Sequence, residues 1–194
     1  MSRKQLILPK LIGFCGYATS GKNTAAEELN KLLKENEIPT EYKIVGFADS
    51  LKGDIKPCID FCKAFGVDTT TKEFKELFRP MWVLWSRVAK AVTNNKLIWL
   101  DRLFRVIDSA PNDYIAICDV RYDYEVHEIL NRGGVVFFIN RPNVSFANEE
   151  EKQSFYEIMV NLPDVYRCNI VDNDSTKKEL GLTIFNRLVK HGQN

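Results

Sequence analysis

Short apolar runs alternate with longer amphipathic segments along most of this chain. The runs have the length of buried β-strands, and the last of them is shorter than the others. They are Leu11–Cys15, Tyr42–Phe47, Tyr114–Cys118, Val135–Ile139 and Cys168–Val171. Strands that are apolar on both faces and separated by helices are typical of a parallel sheet covered on both sides. The pattern therefore predicts a three-layer α/β fold with a parallel sheet.

The segments between these runs have the periodicity and the end signals of helices. Asp49 or Ser50 is expected to cap the helix that follows the second strand. Gly133 and Gly134 are expected to stop a later helix, because glycine is favoured just past a helix C-terminus. The helices whose limits can be predicted are Lys22–Glu37, Tyr124–Asn131 and one that begins at Ser175.

The stretch from about residue 71 to residue 110 differs from the rest of the chain. It is rich in helix formers and carries several Trp and Arg residues, among them Arg79, Trp82, Trp85, Arg87 and Trp99. No repeat and no low-complexity linker divides the chain. We therefore predict a single domain, residues 1–194, with a helical insert at about 71–110.

Charge and composition argue against several classes of protein. The chain has 27 Lys and Arg against 26 Asp and Glu, so it offers no electrostatic basis for wrapping duplex nucleic acid. No apolar stretch approaches the roughly 20 residues that span a bilayer. The five cysteines have neither zinc-site spacing nor the even number of a disulfide framework. Buried reduced thiols in a cytoplasmic protein are the simplest interpretation.

The first predicted strand is followed by a phosphate-binding signature. Residues 16–22 read Gly-Tyr-Ala-Thr-Ser-Gly-Lys and match G-x-x-x-x-G-K between a strand and a helix, the context that this P-loop motif requires. Glycines let successive N–H groups point at phosphate oxygens, the helix N-terminus adds positive charge, and the lysine reaches the β- and γ-phosphates. The residues expected to bind ATP are Gly16, Thr19, Ser20, Gly21, Lys22, Asn23 and Thr24.

Asn23 departs from the usual motif. The residue after the lysine is commonly Ser or Thr, whose hydroxyl binds Mg²⁺. An amide oxygen can also serve as a ligand for Mg²⁺. The alternative is that Asn23 only caps the helix.

An ordered set of motifs extends over most of the chain. They are Ser20-Gly21-Lys22-Asn23-Thr24, Gly46-Phe47-Ala48-Asp49-Ser50-Leu51-Lys52, Cys118-Asp119-Val120-Arg121-Tyr122-Asp123-Tyr124-Glu125, and Gly133-Gly134-Val135-Val136 with Ile139-Asn140-Arg141-Pro142. Together they resemble the bacteriophage deoxynucleoside monophosphate kinases, within the wider group of P-loop nucleoside monophosphate kinases. The P-loop alone is generic, whereas the ordered set is more specific.

The resemblance implies a P-loop NTPase fold with a helical acceptor and lid region, and transfer of the γ-phosphoryl group of ATP to a deoxynucleoside 5′-monophosphate with Mg²⁺. It implies catalytic roles for Lys22, Arg121 and Arg141, and a role for Asp119 either in holding Mg²⁺ through water or in orienting Arg121. Asn23 and Asp119 are the candidate Mg²⁺ ligands. The implied acceptor-binding residues are Asp49, Lys52, Arg79, Arg87, Asp119 and Arg121. The partner would be a nucleotide, in the cytoplasm of the host if a phage encodes the chain. A homodimer is one option for its assembly.

Several of these residues also have a purely structural interpretation. Asp119 and Arg121 could form an ion pair at a strand end, and Arg141 and Lys52 could be solvated. Asp49 could serve only as a helix cap. For Trp82 and Trp85 a place in the core is favoured over a contact with the base, and Trp99 is ambiguous.

Two other functions are compatible with the same motifs. One is a different small-molecule P-loop kinase, such as a dephosphocoenzyme A kinase or a broad nucleoside monophosphate kinase. The other is a nucleotide-binding regulatory module that has lost catalysis, which Asn23 favours.

Overall fold

The computed structural model describes residues 7–161 and 169–191, where strands alternate with helices. The strands are Leu11–Cys15 (β1), Tyr42–Val45 (β2), Tyr114–Val120 (β3), Val135–Asn140 (β4) and Ile170–Asp172 (β5). The helices are Lys22–Glu35 (α1), Phe47–Asp54 (α2), Lys56–Ala64 (α3), Lys72–Val92 (α4), Ile98–Asp108 (α5), Asp123–Asn131 (α6), Glu149–Asn161 (α7) and Lys177–His191 (α8).

The strands form one parallel sheet in the order β2-β3-β1-β4-β5. Strand β1 is central, and it pairs with β3 on one side and with β4 on the other. The chain crosses β1 between these two neighbours, which makes the end of β1 a topological switch point, where open α/β sheets bind their ligands. The register places Cys15 beside Val120 and Phe138. The loops after β1, β3 and β4 therefore leave the sheet side by side.

Helices cover both faces of the sheet. On one face Ile12, Phe14 and Phe137 join a buried cluster with residues of α1 and α8, namely Ala25, Ala26, Leu29, Leu33, Leu180, Ile184 and Leu188. On the other face α6 packs so closely that a side chain on Gly13 would meet Ile129 at 2.8 Å. This arrangement is the predicted three-layer α/β fold with a parallel sheet.

The chain divides into two compact units. One consists of Met1–Gly46 and Pro111–Asn194 and contains the sheet, and the other is Phe47–Ala110 and contains α2 to α5. The second unit includes the whole 71–110 stretch and begins before it. Among the described residues, no helix has the length and the apolar character to cross a membrane.

The segment after β2 differs from the prediction. Strand β2 ends at Val45, and Phe47 begins helix α2, where it is buried near Phe104 with ring centroids 6.2 Å apart. Asp49 and Ser50 therefore lie inside the helix, and the prediction that one of them caps it was wrong. In the sequence, an apolar residue close to the end of a strand continues the apolar pattern of that strand. In the structure Phe47 is instead buried as part of helix α2.

Other element ends differ by a few residues. Helix α1 ends at Glu35, two residues before the predicted end, and the last strand is Ile170–Asp172. Cys168, the predicted start of that strand, lies outside the described residues. Helix α7 was not predicted.

Candidate active site

The loop between β1 and α1 has a backbone that only glycine adopts easily at two positions. Gly16 has φ 148° and Gly21 has φ 106°, both in the region that side chains disfavour. A β-carbon on Gly16 would lie 2.4 Å from the carbonyl oxygen of Ile139, and one on Gly21 would lie 2.5 Å from Nδ2 of Asn173. Thr19 is also left-handed, with φ 63°. Gly16 is therefore required by both conformation and space, whereas Gly21 is required by its conformation and by the place of the Asn173 side chain.

Lys22 is the first residue of α1 and turns back over this loop. Its ammonium donates hydrogen bonds to the carbonyl oxygens of Gly16 at 2.8 Å and Tyr17 at 2.7 Å. Burial lowers the pKa of Lys22, and the positive charge of Arg121 lowers it further, whereas Cys15, Glu151 and Asp119 act in the opposite direction. The charges of Asp119 and Arg121 thus act on Lys22, and the pairing of Cys15 with Val120 places both residues at the same end of the sheet as the loop.

A loop amide already holds an anionic oxygen. The N–H of Ala18 donates to Oε1 of Glu151 at 2.8 Å, and Oε2 of the same carboxylate accepts from the N–H of Ala147 at 2.7 Å. Arg141 approaches the same loop, since its Nη1 donates to the carbonyl oxygen of Thr19 at 3.2 Å. The loop therefore presents an N–H group to an anion, with a guanidinium at its edge.

Asp119 and Arg121 lie at the carboxyl end of β3. The carboxylate of Asp119 sits against Gly46, where a β-carbon would be only 2.6 Å from Oδ2. Gly46 therefore leaves space for this carboxylate. The side chain of Arg121 is exposed, while its backbone N–H donates to Oε2 of Glu125 at 2.7 Å.

Glu125 is the last residue of the motif that begins at Cys118, and its sequence context had indicated no role for it. It is only 5% exposed, and its Oε2 also accepts from the N–H of Tyr122 at 3.0 Å. Burial raises the pKa of Glu125 to about 8, despite these two hydrogen bonds and the nearby Arg121 charge. Glu125 thus fixes the backbone of the turn that carries Arg121.

Ser20 and Asn173 support the loop from inside. Ser20 is fully buried, and its hydroxyl has no hydrogen-bond partner within the described residues. Nδ2 of Asn173, just after β5, donates to the carbonyl oxygen of Ser20 at 2.7 Å. Sequence reasoning missed Asn173, because 153 positions separate it from Ser20 and no motif contains it.

Asn23 does not cap helix α1. The N-cap is Gly21, whose left-handed backbone ends the loop without a side-chain cap. Asn23 follows in the first turn with an exposed side chain, and Thr24 beside it is half-buried. The capping interpretation is therefore wrong, and the Asn23 side chain faces solvent beside the loop at residues 16–22.

The other predicted acceptor residues lie in the helical unit. Lys52 pairs with Asp49 at 3.2 Å, and Arg79 pairs with Glu76 at 3.1 Å. Arg87 is exposed, two helical turns beyond Arg79, so the two arginines are roughly 12 Å apart along α4.

The tryptophans only partly meet the expectation of a core position. Trp82 is half-buried, but Trp85 is 39% exposed and its Nε1 donates to Oδ2 of Asp54 at 3.1 Å. Arg102 donates to the same oxygen at 2.6 Å, and its guanidinium lies 5.4 Å from the ring centroid of Trp99. An aromatic and charged cluster on the helical unit therefore consists of Asp54, Trp85, Trp99 and Arg102. No spacing in the sequence had indicated it.

Magnesium was expected at Asn23 and Asp119. No group of three or more His, Cys, Asp or Glu side chains in the described part of the chain could hold a metal ion. Mg²⁺ typically takes one or two carboxylates together with substrate phosphates and water. The Asp119 carboxylate and the exposed Asn23 amide are oxygen donors of the kind that Mg²⁺ takes, with phosphate oxygens and water completing its coordination.

No protein-family model and no curated protein matches this chain. Solved structures similar to it include a shikimate kinase from Aquifex aeolicus vf5, at 14% identity and a TM-score of 0.47, covering 95% of this chain and 99% of that one. A thymidylate kinase from Ehrlichia chaffeensis is 18% identical, with TM-score 0.47 and coverage of 92% and 97%. A gluconokinase from Sinorhizobium meliloti 1021 is 11% identical, with TM-score 0.47 and coverage of 96% and 95%. These likenesses are weak and do not assign a function to this chain.

Proposed function

We propose that this chain is an ATP-dependent phosphotransferase that converts a deoxynucleoside 5′-monophosphate to the diphosphate. The observation that carries the proposal is the loop from Gly16 to Lys22. It curls at the end of the central strand, presents the Ala18 N–H to an anionic oxygen, and folds the Lys22 ammonium over itself. Such a loop at a helix N-terminus suits the phosphates of a nucleotide.

The two glycines and the lysine define the site for the ATP phosphates. Lys22 would exchange its bonds to the Gly16 and Tyr17 carbonyls for β- and γ-phosphate oxygens, since an ammonium can donate in three directions. A partly buried ammonium interacts more strongly with phosphate than an exposed one does. This geometry supports Lys22 as the principal cation of the reaction.

The transfer needs positioning and neutralisation of charge more than covalent chemistry. A 5′-phosphate oxygen of the acceptor would attack the γ-phosphorus, and the bond to the β,γ-bridging oxygen would break to leave ADP. Arg121 and Arg141 would neutralise charge on the moving phosphoryl group, because Arg141 donates to Thr19 in the loop and Arg121 follows β3, whose end pairs with the end of β1. Asp119 and Asn23 would hold Mg²⁺, which supplies Lewis-acid neutralisation of the phosphate oxygens when bound.

The acceptor assignment rests on the resemblance to the phage kinases and on the composition of the helical unit. Arg87 is an exposed cation there, and Trp85 offers an indole face that is 39% exposed. A guanidinium suits a phosphate and an aromatic face suits a base. Arg79, Lys52 and Asp49 remain candidates for the acceptor, although each is engaged in a local ion pair.

The test is an ADP-release assay with ATP, Mg²⁺ and each deoxynucleoside monophosphate in turn. We expect release that depends on one or more monophosphates, complete loss in Lys22→Ala, and a loss of at least about 100-fold in Arg121→Ala. Normal activity of Lys22→Ala would show the mechanism to be wrong, and a mild effect of Arg121→Ala would reduce that residue to a structural role.

The same assay separates the alternatives. ATP binding without transfer to any acceptor would identify a regulatory nucleotide-binding module, for which Asn23 in the motif is the favouring observation. Transfer to a different small molecule, such as dephosphocoenzyme A, would keep the roles of Lys22, Asp119 and Arg121 and change only the acceptor.

A further inference from the structure

The carboxylate of Glu151 bridges two segments of the sheet unit. Glu151 lies in the first turn of α7, and its two oxygens accept from Ala18 in the P-loop and from Ala147 in the segment before α7. The backbone N–H of Glu151 itself donates to Oδ1 of Asn148 at 2.8 Å. Both the backbone and the carboxylate of Glu151 are thus held in place.

Aromatic packing holds the same two segments together. The ring of Tyr17, in the P-loop, lies 4.4 Å from the ring of Phe146 and 5.0 Å from that of Phe155, measured between centroids. The Tyr17 hydroxyl donates to Oδ1 of Asn140 at 3.2 Å. The contact between α7 and the loop is therefore a packed arrangement and not a single hydrogen bond.

A carboxylate oxygen and a phosphate oxygen accept the same kind of hydrogen bond from a backbone N–H. Both are anionic acceptors at about 2.7–2.9 Å, and the Ala18 N–H is already 2.8 Å from Oε1 of Glu151. The negative charge of Glu151 also acts on Lys22. A phosphate at this amide would meet a like charge at hydrogen-bond distance, so the two anions exclude each other.

We propose that Glu151 is a built-in competitor for the phosphate-binding loop, so that nucleotide binds only when the N-terminal turn of α7 releases Ala18. This inference rests on the proposed function, and it adds the regulation of the same site. The free site is self-occluded, with the Ala18 amide on Glu151, the Lys22 ammonium on loop carbonyls and Arg141 on Thr19. The apparent affinity for ATP is therefore reduced in proportion to the fraction of molecules that are open.

The variants that test this are Glu151→Gln, which keeps the shape and removes the charge, and Glu151→Ala, which removes both. Glu149→Gln is the matched control. Glu149 lies in the same helical turn, its side chain is 88% exposed, and it contacts only Lys152 among the described ion pairs, at 3.3 Å. The substitution Glu149→Gln removes the same charge from the same helical turn and leaves the hydrogen bond between Ala18 and Glu151 in place.

Binding of ATP and of inorganic tripolyphosphate is measured by calorimetry for all four proteins. We expect both ligands to bind about tenfold more tightly to Glu151→Gln and Glu151→Ala than to the wild type, with Glu149→Gln unchanged. Tripolyphosphate isolates the phosphate site from the base and the acceptor. In the ligand-free proteins, the ¹⁵N–¹H signal of Ala18 should shift in both Glu151 variants and stay in place in Glu149→Gln.

The failures of the two proposals can be told apart. If the wild type binds ATP, Lys22→Ala does not, and the Glu151 variants bind no more tightly than the wild type, the competitor role is overturned while the proposed function stands. Equal tightening in Glu149→Gln would also overturn it, since general charge would explain the effect. If no protein binds ATP or tripolyphosphate, the proposed function fails and this inference fails with it.

Discussion

The conformation of the loop before α1 depends on the absence of a β-carbon at Gly21. Its φ of 106° strains any side chain, and a β-carbon on it would lie 2.5 Å from Nδ2 of Asn173, which would have to leave its hydrogen bond to Ser20. We predict that Gly21→Ala costs roughly 1–3 kcal/mol of stability and abolishes ATP binding, because the loop amides turn away from the ligand. Chemical denaturation and calorimetry would measure the two effects.

Gly133 offers the control for that substitution. It also has a left-handed backbone, with φ 74°, but a β-carbon there would have no neighbour within 4 Å. Gly133→Ala should therefore lose about 1–2 kcal/mol from strain alone and bind ATP normally. Retention of ATP binding by Gly21→Ala would contradict the idea that the loop needs this glycine.

Glu125 should make stability depend on pH. Burial raises its pKa from 4.5 to about 8, so the folded protein keeps a proton that the unfolded chain releases between those values. The contribution of this proton to the free energy of unfolding is full below about pH 4.5 and is lost as the pH rises towards 8. Glu125→Gln stays neutral, so we predict that its stability relative to the wild type increases by roughly 2–4 kcal/mol between about pH 5 and pH 8.

Urea unfolding of both proteins at about pH 5, 6.5 and 8 measures this difference. A constant difference across the range would show that the Glu125 carboxyl ionises in the folded state as it does in the unfolded chain. Because Gln can still accept from the backbone of Arg121 and Tyr122, the substitution tests the charge and not the hydrogen bonds.

At the scale of elements, the packing of α8 on α1 depends on Gly181. A β-carbon on Gly181 would lie 2.7 Å from Cβ of Glu28 and 3.2 Å from its backbone carbon, so the two helices would have to separate. We predict that Gly181→Ala destabilises the fold by roughly 1–3 kcal/mol. Equilibrium unfolding in urea measures the change.

Gly53, in α2, is the matched substitution in open space. A β-carbon there has no neighbour within 4 Å, and alanine favours helix more than glycine does. Gly53→Ala should therefore be neutral or stabilise by about 0.5–1 kcal/mol. Equal effects of the two substitutions would mean that helix propensity, and not the close approach of α8 to α1, governs position 181.

For the whole molecule, ATP should stabilise the fold by mass action. Ligand at about 100 times its Kd adds roughly 2.7 kcal/mol to the free energy of unfolding. For a chain of 194 residues this corresponds to a rise in Tm of roughly 5–10 °C. Differential scanning calorimetry with and without ATP should show this rise in the wild type and not in Lys22→Ala. A similar rise in both would place the ATP site elsewhere.

The strands and the glycine-bounded loop at residues 16–22 could be predicted because they are local. Apolar runs such as Leu11–Cys15 and Val135–Ile139 mark strands that are buried on both faces, and the structure confirms them within one residue. The exposed Trp85 and the helical Phe47 were interpreted wrongly, because their surroundings depend on Asp54 and on Phe104, far along the chain. Helix α7 begins with three acidic residues and carries a weak apolar pattern, so the sequence offered little signal for it.

The sequence by itself determined the order of the strands, the glycines and the lysine of the loop, and the polar residues near the ends of β1 and β3. Those properties depend on neighbours within a few residues. Only the tertiary structure decided that Glu151, 133 positions away, binds the Ala18 amide, that Asn173 supports Ser20, and that Glu125 is buried. The reason is physical, because a hydrogen bond or a shifted pKa depends on distance and dielectric, and the fold sets both without regard to separation along the chain.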